Sequence, residues 1–477
     1  MNEPPVNGPP VSRPALDEPG RALDAPGAQA RPAGVRRIYC NRSLRFDHVC
    51  AVGFDMDYTL AIYDQQQMDE LQSRLTLQRL VERGYPDDVA TIRVPTEFAI
   101  RGLLVDVGRG NVLKMDRYRY VKRAYHGLHP LSRAERRELY EARRLRPGVD
   151  RYHWVDTLYS LADVAVYAGV IDHLERTGRR PDYRQLFADV RLCADAAHAS
   201  GEVNAELEID LSRYVCRDPE LGPTLHRLRS AGKKLFLLTN SRPAQTEPMM
   251  SFLLDGSVPG YGSWRQFFDV IVTSARKPSF FTDRAPFVDP ADPSSPVTEL
   301  RRGHVYEGGN MADFERMAAV SGTDVLYVGD HIYGDVLRAN VESGWRTLMI
   351  VQEIADELAA LQRHGEDVRD ADELDRALRL TREERRAGGG GNGSPRHGAL
   401  ANRAVELALE RDRLETVIDH SFHPYWGSLF KAGSELSSFG AQVEQYAWLY
   451  TERVSNLGRY PANHFFRSPR ARMAHEL

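Results

Sequence analysis

The chain has 477 residues, 42% hydrophobic and 27% charged, with a formal net charge of −4 at pH 7. That length allows two or three domains with sizeable cores. The near-neutral balance offers no basic face for nucleic acid or anionic membrane, and no apolar run approaches the ~20 residues of a membrane span. The four cysteines (Cys40, Cys50, Cys193 and Cys216) form no CxxC pair and no disulfide framework. A reducing cytoplasm is therefore the expected location, and thiolate metal ligation is disfavoured.

Residues 1–36 are rich in Pro, Gly and Ala, lack the apolar segment of a secretory signal, and are expected to be disordered. The run "VCAVGF" (49–54) then reads as a buried strand. Further short apolar runs follow at "KLFLLT" (234–239), "FDVIVT" (268–273), "VLYVG" (325–329) and "RTLMIV" (346–351). Helical spacing precedes two of them, over 219–233, ending at Gly232, and over 333–344. Alternating helices and buried strands predict an α/β fold with a parallel sheet.

The stretch between the first two strands is too long for a crossover and must form an inserted domain, residues 66–214. Helices are expected in it over 69–84, 160–178 and 182–200. The core then comprises 37–65 and 215–360. Residues 361–477 read as a helical C-terminal region, interrupted by the Gly-rich linker "GGGGNGS" (388–394) and ending in an aromatic-rich segment.

Polar groups stand at the strand ends. Asp55 and Asp57 follow the first run, and Thr239, Asn240 and Ser241 the second. Lys277 comes shortly after the third, and Asp330, then Asp335, after the fourth. In a parallel sheet these ends share one edge, where α/β proteins bind ligands. Clustered carboxylates repel unless a dication neutralises them, and all-oxygen ligation suits Mg²⁺. With a lysine and hydroxyl or amide donors beside them, the set describes a phosphoryl site. No GxxxxGK[ST] loop is present, so a carboxylate is the candidate nucleophile, with its neighbour as acid and base. Only six of the 63 basic residues are lysines, so Lys277 directly after Arg276 suggests that a compact point charge is wanted there.

"DMDYTL", "LLTNS", "ARKPSFF" and "YVGDHIYGD" resemble the four motifs of the haloacid-dehalogenase phosphatase superfamily. More narrowly, together with "RGLLVDVGRGNVLKMDRY", "LFADVRLCADAAH" and "GSLFKAGSELSSFGAQVEQYAWLY", they resemble the cytosolic purine 5′-nucleotidase (IMP/GMP-type) family. The resemblance covers roughly 37–360 and resumes at about 420–470. It implies a haloacid-dehalogenase-like Rossmannoid core with a large inserted cap. It also implies Mg²⁺-dependent hydrolysis of purine nucleoside 5′-monophosphates through an aspartyl-phosphate, phosphotransferase activity, and a homodimer or homotetramer.

Residue by residue, the resemblance makes Asp55 the nucleophile and Asp57 the general acid/base. Thr239, Asn240 and Lys277 become phosphate ligands. Asp55, Asp57 (through its carbonyl) and Asp330 become metal ligands, with Asp335 in support. Arg191, Asp195 and His198 share a helix face and stand where the family contacts the base; the bland alternative is an intrahelical ion pair. Asp156 occupies the position of a nucleotide-facing asparagine, and Asn204 stands near the position of a family lysine. Tyr152 and Trp154 could stack on a base or simply fill a core. Two other functions stay open: a phosphatase for a non-nucleotide substrate, and a weakly active nucleotide-sensing or scaffold protein.

Overall fold

A computed structural model describes residues 34–141, 145, 150–387 and 395–469. The Gly-rich 388–394 segment, and all but the last three residues of the 1–36 stretch, lie outside the described residues.

The main sheet takes its strands from across the chain: β1 (Tyr39–Cys40), β2 (Ala51–Phe54), β3 (Lys234–Leu238), β4 (Val270–Thr273), β5 (Phe287–Val288), β6 (Val305–Gly308), β7 (Val325–Gly329), β8 (Arg346–Ile350) and β9 (Leu449–Thr451). Among the described residues these pair in the order β1-β9-β8-β7-β2-β3-β4-β6-β5. The inner strands run parallel, and the two edges, β1 and β5, are antiparallel. All five expected strands are present. Both faces of the sheet are covered: Leu235 and Leu237 enter one apolar cluster, Phe236 and Leu238 another. That two-sided burial is why these strands read as unbroken apolar runs. The expected helix at 219–233 is α-helical over Leu221–Ser230, and Gly232 behind it takes φ +82°.

The stretch between β2 and β3 contains helices α1 (Gln65–Glu82), α2 (Ser160–Arg176), α3 (Tyr183–Ala199) and α4 (Glu202–Ile209). The side chains of Asp64 and Asp182 cap α1 and α3 by accepting from first-turn amides. This stretch is not only helical. A five-stranded antiparallel sheet is built from Leu103–Asp106, Asn111–Met115, Val121–His126, His129–Pro130 and Tyr152–Val155. Leu103–Asp106 and Asn111–Met115 are buried on both faces, which removes the alternation that would mark them in sequence. Tyr152 and Trp154 pack into this sheet's own apolar cluster, with Leu104, Leu113 and Tyr140.

Beyond β8, α5 (Ile354–Ala387) and α6 (Pro395–Phe422) pack on one another through Leu378, Ala404 and Leu407, with Arg411 paired to Asp375. The remaining C-terminal segment departs from a purely helical extension. After α7 (Ser438–Tyr446) it supplies β9, which lies parallel to β8 in the main sheet. Among the described residues, no helix is long and apolar enough to cross a membrane.

Candidate active site

Register assembles the site. Phe54, the last residue of β2, pairs with Leu237 on one side and Val328 on the other, so Asp55 stands level with Leu238 and Gly329, one residue before Thr239 and Asp330. The Asp55 amide donates to Val328 O at 2.9 Å, continuing the ladder one residue further. Carboxylate oxygens of Asp55, Asp330 and Asp335 lie within 4.8 Å of one another. Lys277 Nζ sits among them, 2.9 Å from Asp55 Oδ1 and 2.7 Å from Asp335 Oδ1, and donates to Tyr327 Oη at 3.0 Å. Tyr327 Oη in turn donates to Leu238 O at 3.0 Å. Gly329 makes the crowding possible: a Cβ there would meet the Asp335 carboxyl at about 2.6 Å.

The electrostatics follow from burial. Desolvation pushes the Asp55 carboxyl well above the carboxylate range; Lys277 opposes this, and Asp335, Asp330 and Asp57 add to it. Desolvation and Asp335 push Asp330 up to about 7. Burial alone would lower Lys277, but Asp335 and Asp55 more than offset it and hold the ammonium well above its usual range. With all three carboxylates ionised, the one ammonium would leave negative charge in excess. A hard dication with oxygen ligands fits that donor set, and Asp55, Asp330 and Asp335 are the residues that would hold it.

Asp57 has a different environment. Its side chain stands outside the three-carboxylate group, with Oδ1 accepting from Tyr63 Oη at 2.7 Å and Oδ2 from Ser241 Oγ at 2.6 Å. Two hydroxyl donors fix its orientation. Thr239 is fully buried, and its Oγ1 accepts from the Ser241 amide at 3.1 Å. The Asn240 side chain is turned onto the lysine loop: Oδ1 accepts from Lys277 N at 2.6 Å and Nδ2 donates to Lys277 O at 3.0 Å. Its amide group therefore positions Lys277.

A cavity of about 440 Å³ opens beside this centre, lined by Asp57, Asn240 and Ser241 on one side and by Tyr159, Asp195 and His198 on the other. Asn204 also lines it. His198 is held by Gln72 at 3.3 Å and meets the Tyr159 ring edge-on at 5.6 Å. Arg191, one turn before Asp195 on α3, is exposed and is not among the lining residues. Its charge is felt by Asp163, whose carboxyl burial pushes up to about 7 against the opposing pull of Arg191. Asp156 points elsewhere: its Oδ2 lies 3.8 Å from Nε2 of His331. His331 Nδ1 accepts from the Gly334 amide at 3.1 Å, which leaves Nε2 to carry the proton toward Asp156. Burial tends to lower His331, but the Asp156, Asp335 and Asp330 carboxylates together outweigh it and raise it. The carboxylate at this position is thus drawn toward an imidazole.

Tyr63, Tyr159 and Tyr327 are site residues that motif reading does not single out. Tyr159 follows Asp156 by three residues, and Tyr63 follows the "DMDYTL" motif by three. Tyr327 lies inside β7 and has no sequence mark to separate it from core.

A parallel sheet presenting an aspartate pair, a lysine and a second acidic loop at one edge defines the haloacid-dehalogenase class of phosphoryl-transferring enzymes. Within it, the model described as the 5′ nucleotidase family matches residues 38–477, and the chain belongs to that family. It is 30% identical over 458 residues to 5′-nucleotidase domain-containing protein 2 of Homo sapiens, spanning 92% of this chain and 85% of that protein. It is 29% identical over 459 residues to a 5′-nucleotidase domain-containing protein of Dictyostelium discoideum, spanning 92% of this chain and 75% of that one. A predicted phosphoglycolate phosphatase from Haemophilus somnus overlaps 64% of this chain and 86% of its own at 11% identity, with a TM-score of 0.26, a likeness that bears no weight here. The protein is a phosphoric monoester hydrolase of the nucleotidase kind.

Proposed function

We propose that the protein hydrolyses purine nucleoside 5′-monophosphates in a Mg²⁺-dependent reaction through a phosphoryl-Asp55 intermediate. The observation that carries this reading is the single cavity joining Asp57, Asn240 and Ser241 to Tyr159, Asp195 and His198. The proposed proton carrier Asp57 and a partly aromatic recess share one space beside Asp55.

Bound at Asp55, Asp330 and Asp335, with the Asp57 carbonyl completing the set, Mg²⁺ would neutralise the carboxylates and withdraw charge from the phosphoryl oxygens. Asp55 then attacks phosphorus, and the bond from phosphorus to the ribose 5′-oxygen breaks. Asp57 gives that oxygen its proton, so the nucleoside leaves neutral. Asp57 next takes a proton from the water that attacks phosphorus. The acyl-phosphate bond breaks, phosphate departs and Asp55 is restored. Lys277 balances the charge of the phosphoryl group and of Asp55. The Thr239 hydroxyl keeps a proton to donate to the phosphoryl group, and Asn240 acts through Lys277. A nucleoside that takes the place of the water yields phosphotransfer.

On the nucleoside side, Tyr159 and His198 offer ring faces and edges, and Asp195 an acceptor for purine N–H groups. Arg191 stands outside the cavity lining, so its part in base recognition rests on the family resemblance. The test is a phosphate-release screen over nucleoside monophosphates with Asp195→Asn and Arg191→Ala beside the wild type. A raised KM for IMP or GMP with p-nitrophenyl phosphate turnover retained supports the assignment. Unchanged kinetics with every substrate would sink it, and would favour a non-nucleotide phosphate.

A further inference from the structure

Arg101 precedes the first strand of the inserted sheet, and its side chain has 0% exposure. Its guanidinium serves two targets. Nε and Nη2 form a fork on Glu353 at 2.8 and 2.6 Å, and Nη1 donates to the main-chain oxygen of Asp330 at 2.9 Å. The Phe439 ring lies 4.8 Å from the guanidinium carbon. One side chain from the insert thus meets the loop after β7, the connection after β8 and helix α7. Gly102 permits this approach: it has φ +83°, and a Cβ there would come within 2.5 Å of the Phe439 Cβ.

The loop carrying Asp330 and Asp335 is held at both ends. Asp335 is fixed by Lys277, and its Oδ2 accepts from the His331 amide at 3.3 Å. Asp330 has its carbonyl fixed by Arg101, and a fixed main chain sets the direction in which the carboxylate leaves. A ligand already in place loses less freedom when the ion binds. Burying a guanidinium is expensive, and apolar packing would fill the same space at less cost. The planar fork does what an apolar side chain could not: it bridges Glu353 to a carbonyl in the acidic loop.

We propose that Arg101 is a positioning residue for the divalent-cation site. By holding the Asp330 main chain, it sets the affinity of the Asp55, Asp330 and Asp335 group for Mg²⁺ and ties the insert to that loop. The inference rests on reading those three carboxylates as the metal site. Lysine at position 101 keeps the charge but cannot serve the fork and the carbonyl together.

The experiment is calorimetric titration of Mg²⁺ into the metal-free full-length protein, without substrate, for wild type, Arg101→Lys, Glu353→Gln and Asp330→Asn. The melting temperature of each metal-free form is measured alongside. Arg101→Lys is expected to weaken Mg²⁺ binding about tenfold, in line with the effect of other groups that orient metal ligands, and Glu353→Gln about threefold. A merely structural role would lower the melting temperature and leave the affinity of the folded protein unchanged. Wild-type affinity in folded Arg101→Lys overturns the proposal; should that variant not fold, wild-type affinity in Glu353→Gln does so. No binding heat in either wild type or Asp330→Asn overturns the metal reading beneath it, and the proposal with it.

Discussion

Asp55 and Asp57 are the same residue type two positions apart, and their neighbours divide their work. Asp55 faces an ammonium and two further carboxylates, and its Oδ1 also accepts from the Met56 amide at 2.8 Å. Asp57 faces two hydroxyls, from Tyr63 and Ser241. Orienting a proton carrier matters in the steps where it gives or takes a proton, so Tyr63→Phe is expected to lower kcat about tenfold, roughly the worth of one hydrogen bond to a charged group, with KM nearly unchanged. Steady-state kinetics on a nucleoside monophosphate would show it; an equal rise in KM would place Tyr63 in substrate binding. The acidic residues were legible in the sequence because carboxylates directly after an apolar run demand compensation. Tyr63 and Tyr327 were not, because a tyrosine beside or inside a strand is usually core. Asn240 was legible as a site residue, but its bonds to the Lys277 main chain depend on two loops meeting, which spacing does not reveal.

At the scale of elements, the inserted sheet and the C-terminal segment are bound by buried polar groups. Lys114 Nζ donates to Trp426 O at 2.7 Å and Ser428 O at 2.5 Å, while Glu357 accepts from Ser428 Oγ at 2.9 Å and from the Leu429 amide. Burial pushes the Glu357 carboxyl up to about 7 and Lys114 down to about 7. The folded protein therefore keeps a proton on Glu357 that the unfolded chain has lost above its ordinary pKa of about 4.5. Its contribution to stability is full below about pH 4.5 and is lost as pH rises to about 7. Glu357→Gln removes this titration while keeping an acceptor and a donor for the same partners. Its melting temperature is expected to fall less than that of the wild type between pH 5 and pH 7, and parallel curves would refute the assignment. These contacts escaped the sequence reading for the reason the inserted sheet did. Strands buried on both faces lose their period, and a lysine that bonds to carbonyls more than 300 positions away leaves no local trace.

At the scale of the molecule, β9 enters the main sheet from the far end of the chain and pairs with β8 and β1. Three residues of strand among many aromatics carry no signal of their own; their place is set by tertiary packing. The α/β class and the shared strand edge were legible because they depend on local runs and one topological rule. The proposed reaction needs Mg²⁺, since the Asp55, Asp330 and Asp335 carboxylates share one lysine. Chelation is expected to abolish phosphate release. Returning Mg²⁺ to about 100 times its dissociation constant should stabilise the fold by about 2.7 kcal/mol, seen as a rise in melting temperature. Full activity in excess chelator would remove the metal from the mechanism.

The most direct measurement is an acid quench of the full-length protein during turnover of a purine nucleoside 5′-monophosphate with Mg²⁺, followed by mass spectrometry of the peptide carrying Asp55. A phosphoryl group on Asp55, absent without Mg²⁺ and absent in Asp55→Asn along with phosphate release, is the predicted result. Phosphate release that continues in Asp55→Asn, with no phosphorylated aspartate in the wild type, would contradict it.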